Sequence, residues 1–158
     1  MTNQFSAQLA MTRAMPRERI RPTEYQGRIR VAYFNFTQSG QGPANATAQL
    51  IHLPEGRVRI LRHLSMVSTS AFGAGRTLNV GFAAYRNLIG DAVAANETAL
   101  IAARDVAAAA SAAPSAAAGA DPTLYLESRD GVDVYARVLG NTIPDGAKIW
   151  GMLAYVTD

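Results

Sequence analysis

Two stretches of alternating apolar positions, separated by a glycine-rich break, dominate the middle of the chain: RVRILRHLSMVSTSAFGAGRTLNVGFAAYRN, residues 57–87. In the second stretch Leu78, Val80, Phe82 and Ala84 fall on one face and Thr77, Asn79 and Gly81 on the other, the period of two that marks a half-buried strand. In the first, Val58, Ile60, Leu64 and Met66 share a face. Arg62 interrupts that face and Leu61 lies opposite, which predicts a bulge or twist near these two residues. Both stretches read as core strands of one antiparallel sheet.

The same pattern recurs on either side. From Gly27, GRIRVAYFNFTQ sets Ile29, Val31 and Tyr33 against Arg30, Ala32 and Phe34 as the first body strand, closed by SGQGP. ATAQLIHL, residues 46–53, is a shorter strand that ends in the turn cluster Pro54, Glu55 and Gly56. It is expected to form a hairpin with the 57–66 stretch, which would put His52 opposite about Val58. After the NLIGD turn comes an alanine-rich tract, residues 92–120. Asn96 as an N-cap followed by ETALIAARDV predicts a short helix there, whereas SAAPSAAAGADP has almost no large side chain and reads as a mobile surface loop. TLYLES, VDVYARVLG and AKIWGMLAYVTD are three further strands, separated by SRDG and NTIPDG. Val132, Val134, Ala136 and Val138 share one face of the second. The third is apolar on both faces, Ile149, Leu153 and Tyr155 against Trp150, Met152 and Val156, and so belongs at the centre of a sheet or under a partner. Trp150 reads as buried. Seven or eight strands at this spacing predict an all-β fold, an antiparallel β-sandwich of jelly-roll type.

The first 26 residues break the pattern. They contain Pro16 and Pro22, have no sustained periodicity beyond room for a short helix from Phe5 to Met15, and read as an extended basic arm, residues 1–26, ahead of a body at 27–158. Charge follows the same division. Arg13, Arg17, Arg19, Arg21, Arg28 and Arg30 stand against only Glu18 and Glu24, so the first thirty residues carry about +4 of a net +3 and the remainder is slightly acidic. With only Phe5 and Tyr25 to stack on bases, the arm is poorly suited to nucleic acid. An acidic protein surface suits it better, with Arg13, Arg17, Arg19 and Arg21 as the partner-binding residues. Alanine inflates the 49% hydrophobic content, so the core is expected to be thin and a neighbouring subunit to supply part of the burial. Cysteine is absent, which excludes disulfides and thiolate metal sites. The start lacks the apolar core of a secretory signal and no apolar run is long enough to span a membrane, so the chain is expected to be soluble and unexported.

Candidate chemistry is sparse. His52 and His63 are the only histidines, and neither has a metalloprotease, nucleophile-elbow or paired-carboxylate motif around it, so both read as unpartnered strand residues. Ala71-Phe72-Gly73-Ala74-Gly75-Arg76 lacks the Lys-Ser/Thr of a phosphate loop and leads into a strand, so its glycines are expected to supply positive φ. Asp130, Asp133 and Asp145 read as turn residues, not as a calcium site. No catalytic residue, cofactor or metal is expected, and the chain is read as a non-enzyme.

ILRHLSMVSTSAFGAGRTLNVGFAAY, followed by TLYLESRDGVDVYARVLGNTIPDGAKIWGMLAYV, resembles small virion structural proteins of tailed bacteriophages, of the capsid decoration or cement type. The resemblance spans residues 57–158 and rests on no single motif. It implies a β-rich body that oligomerises, often as a trimer, and docks on an icosahedral shell through an extended arm. The implied partners are the major capsid protein or other virion proteins, the implied location is the virion, and assembly is in the host cytoplasm. Neck, tail or head-fibre components fit the same phrases. A β-sandwich that binds carbohydrate or a receptor is the competing class, and it needs exposed aromatic side chains.

Overall fold

Alternation becomes burial most directly in Val132–Leu139, where Val132, Val134, Ala136 and Val138 are buried and the intervening residues are half-buried. The computed structural model describes residue 11 and residues 14–16, 27–114 and 121–157. Among these, twelve strand segments follow one another: β1 (Ile29–Thr37), β2 (Thr47–Leu53), β3 (Gly56–Leu61), β4 (Met66–Thr69), β5 (Thr77–Phe82), β6 (Tyr85–Arg86), β7 (Ala92–Val93), β8 (Asn96–Asp105), β9 (Ala110–Ala112), β10 (Thr123–Ser128), β11 (Val132–Leu139) and β12 (Lys148–Thr157).

The pairings resolve these segments into a jelly roll. β12 is central in the larger sheet, with β1 along one edge for its whole length. Its other edge is shared by β4, through Ile149–Met152, and β3, through Tyr155–Thr157. β3 and β4 are thus one row, broken by a 3-10 turn at Arg62–Leu64, and β10 and β9 form the next row outside them. The smaller sheet has the order β2-β11-β5-β8, and β6 and β7 make a separate two-stranded ribbon. Every pairing is antiparallel. The chain passes back and forth between the sheets, and the core between them is built from Val58, Ile60, Val67, Leu78, Val80, Val134, Val138, Ile149 and Leu153 among others.

Several expectations change as a result. The stretches on either side of the glycine-rich break lie in different sheets, β3 and β4 in the larger and β5 in the smaller. Gly73 and Gly75 have φ of 89° and 75°, so they do supply the positive φ that lets the connection turn, and Phe72 beside them is buried in the core. The expected hairpin between residues 46–53 and 57–66 does not form. Pro54 has no N–H to continue a ladder and Gly56 sits at φ 96°, so the chain turns a corner here: β2 pairs with β11 and β3 with β10 and β12. The irregularity expected at Leu61 and Arg62 is the 3-10 turn, and it resets the phase of the row. Leu64 and Met66 are exposed, while Val67 and Thr69 point to the core.

The expected helix at 96–106 is β8. Its edge pairing with β5 buries both Leu100 and Ile101, and Ala103 takes a bulge conformation at φ 45°. Two large apolar residues are too few for a helix stripe, and pairing to a sheet overrides alanine's helix propensity. Part of the expected loop is also strand, since Ala110, Ser111 and Ala112 pair with β4. Residues 115–120 lie outside the described residues.

Candidate interaction surface

Register decides what the outer face of the larger sheet presents. Tyr33 on β1 is opposite Met152, and Asn35 is opposite Trp150. On the far edge of β12, Met152 is opposite Met66 and Trp150 opposite Ser68. All six side chains therefore project from one face, away from the core residues Phe34, Ile149 and Leu153. Tyr33 is 77% exposed, Met66 45% and Trp150 41%. Between them runs a mostly apolar groove of about 500 Å³. Ser68 at its edge bonds Ser111 through their hydroxyls at 2.7 Å. The Trp150 side chain, read from sequence as buried, is at the surface, because centrality in a sheet buries the strand's backbone and one face but not both.

Along β1 the apolar face continues through exposed Val31 and Ile29, but across the sheet, at β3 and β10, it turns polar. Arg57 Nε donates to Glu127 Oε1 at 3.1 Å, the Tyr125 hydroxyl donates to the same oxygen at 2.6 Å, and the Arg59 guanidinium lies 5.0 Å from the Tyr125 ring centre. That corner is polar, and its charged and aromatic side chains contact one another across the two strands.

A second apolar feature is convex. The β6–β7 hairpin carries Leu88 and Ile89 at its tip, 41% and 84% exposed. The turn beneath them is held by hydrogen bonds. Asn87 Oδ1 accepts from the N–H of Ile89 at 3.1 Å and of Asp91 at 2.8 Å, Asn87 N donates to the Asp91 carbonyl at 2.9 Å, and Arg86 Nη1 donates to the Gly90 carbonyl at 2.9 Å. The Arg129 N–H fixes the hairpin to the β10–β11 turn through the Arg86 carbonyl at 3.0 Å. By its sequence alone the NLIGD segment is only a turn; what marks the tip is two adjacent large apolar residues, Leu88 and Ile89, in a segment too short to bury them.

The outer face of the smaller sheet is polar. Glu97 joins Arg137 at 2.7 Å and accepts from Asn79 Nδ2 at 3.2 Å, and buried Asn79 accepts the Ala103 N–H at 2.7 Å. His52 is not unpartnered as expected. It stands opposite Asp133, not Val58, with Nδ1 and the carboxylate 2.7 Å apart. His63 is exposed in the 3-10 turn. Asp145 accepts the Gly40 N–H at 2.7 Å and so ties the β1–β2 loop to the β11–β12 loop. No cluster of three metal-ligating side chains occurs among the described residues. Arg13, Arg17, Arg19 and Arg21 lie outside the described residues.

No family model matches the chain, and no curated protein matches it. Solved structures do. The fold is similar to a chain in the capsid of Ralstonia phage GP4, at 18% identity and a TM-score of 0.59, and to one in the cyanophage Pam1 capsid asymmetric unit, at 17% and 0.55. Each match covers 84% of this chain and 86% of the other. Infectious bursal disease virus, Gt strain, gives a match at 11% identity and a TM-score of 0.50, covering 82% of this chain but 32% of that one. At such identities the likeness is one of fold, the antiparallel β-sandwich of jelly-roll form.

Proposed function

We propose that this chain is a non-enzymatic virion structural protein, a capsid decoration or cement protein that docks on a phage head and stabilises it. The observation that carries this reading is the likeness of nearly the whole fold to chains found in two phage capsids. An outer sheet face that keeps Tyr33, Met66 and Trp150 in solvent supports it, because exposed apolar faces of this kind mark contact surfaces.

The arm, residues 1–26, is the tether in this reading, and residues 27–158 are the independently folding body. The arm has too little periodic apolar content to offset an ordering cost of roughly 1–2 kcal/mol per residue, so a partner must order it. Arg13, Arg17, Arg19 and Arg21 would meet an acidic groove on the major capsid protein or another virion protein. Exposed pairs are each worth about 0–1 kcal/mol, so several act together.

Co-sedimentation with empty phage heads tests this. The full chain is expected to pellet with heads, and deletion of residues 2–24 to abolish pelleting while leaving thermal unfolding of the body nearly unchanged. Reversing the charge of Arg17, Arg19 and Arg21 should weaken attachment, most at low salt where such pairs are least screened. Normal pelleting of the truncated chain would overturn the tether, and failure of the full chain to pellet would overturn the head assignment in favour of neck, tail or fibre.

A further inference from the structure

We propose that the Leu88–Ile89 tip of one copy inserts into the Tyr33–Met66–Trp150 groove of a second copy, making a head-to-tail contact between identical chains. The tip is convex, apolar and preorganised, because the Asn87 side chain and the Arg86 guanidinium hold the turn in place before any partner arrives. Rigid presentation of two exposed branched side chains lowers the ordering cost of a contact. The groove is concave, mostly apolar and open, and none of its lining residues comes from the hairpin, so one copy does not fill its own groove.

Charge favours the same occupant. Arg86 and Asp91 flank the tip but are bonded to the hairpin itself, Arg86 to the Gly90 carbonyl and Asp91 to Asn87, so insertion of Leu88 and Ile89 leaves them at the rim. The polar residues at the groove, Asn35 and Ser68, are neutral. No unpaired charge is buried by the docking, which is the condition for an apolar anchor to be favourable. Each copy carries both halves, so the contact propagates and either closes into a ring or extends as an array. This inference does not depend on the virion reading, since tip and groove both belong to this chain.

Sedimentation velocity of the full chain over a concentration series provides the test, with Leu88→Ser/Ile89→Ser as the tip variant and Tyr33→Ser/Trp150→Ser as the groove variant. The wild type is expected to associate, and each variant alone to lose association by about tenfold or more. Mixed, the two variants should form a 1:1 dimer and nothing larger, because the tip variant keeps an intact groove and the groove variant an intact tip. Thermal unfolding of each variant checks the fold. Because the chain has no cysteine, a second readout is available: Ile89→Cys and Trp150→Cys chains should cross-link when mixed and oxidised, but not when either is alone. A monomeric wild type, undiminished association of the tip variant, no dimer on mixing, or cross-linking of the Trp150→Cys chain to itself would each overturn the proposal.

Discussion

Gly151 on β12 is opposite Phe34 on β1, and a Cβ at residue 151 would come within 3.0 Å of the Phe34 ring and collide with the Met66 carbonyl oxygen. The glycine thus makes room on the inner face of β12 for a core aromatic and for close approach of β4. Gly151→Ala is expected to destabilise the body by about 1–3 kcal/mol, since backbone on β4 must move to relieve the contact. In a chain of this size that is a fall of several degrees in thermal midpoint, at roughly 2–4 °C per kcal/mol. An unchanged midpoint would show that β4 is less firmly held than the register implies.

Asn79 carries the bulge in β8. Its carbonyl oxygen accepts the Ala103 N–H while its amide reaches Glu97, and it is buried. Asn79→Ala should leave the Ala103 N–H without that partner and cost about 1–3 kcal/mol. Hydrogen exchange at Ala103 should accelerate by more than exchange in β11, which keeps its other neighbour β2.

Tyr85 packs edge-on against Phe82, with ring centres 5.7 Å apart. Its partial burial, and secondarily the charge of Glu127, hold its phenol above the usual value of 10.0. The neutral phenol is favoured by the fold, so its contribution to stability is fully present below pH 10 and is lost as pH rises through the raised folded-state value. Urea midpoints measured from pH 9 upward should fall less steeply for Tyr85→Phe than for the natural chain. Identical slopes would refute the assignment.

His52 and Asp133 form an exposed pair, the kind worth about 0–1 kcal/mol. The double variant His52→Gln/His63→Gln should therefore fold with a midpoint close to that of the natural chain and keep head binding in the sedimentation assay. Loss of binding by a folded double variant would give the histidines a role that the proposed function does not contain.

Strand after strand was legible from period two: β1, β2, β5, β10, β11 and β12 sit where their alternation put them, and the inward face of β11 is the one its valines marked. Alternation is a local property, because side chains of neighbouring residues must point to opposite faces. Which sheet a strand joins is not local. β3 and β5 have similar patterns and lie in different sheets, and β2 and β3 are two residues apart yet never pair, since a proline and a positive-φ glycine turn the chain between layers. β8 was misread as a helix because alanine is permissive, and only the free edge of β5 decided its conformation. The candidate surface followed the same rule. The sequence alone determined that β12 is apolar on both faces; the tertiary structure decided that Ile149 and Leu153 meet the opposing sheet while Trp150 and Met152 meet solvent, because a two-layer sandwich has a second sheet to cover only one side of the first.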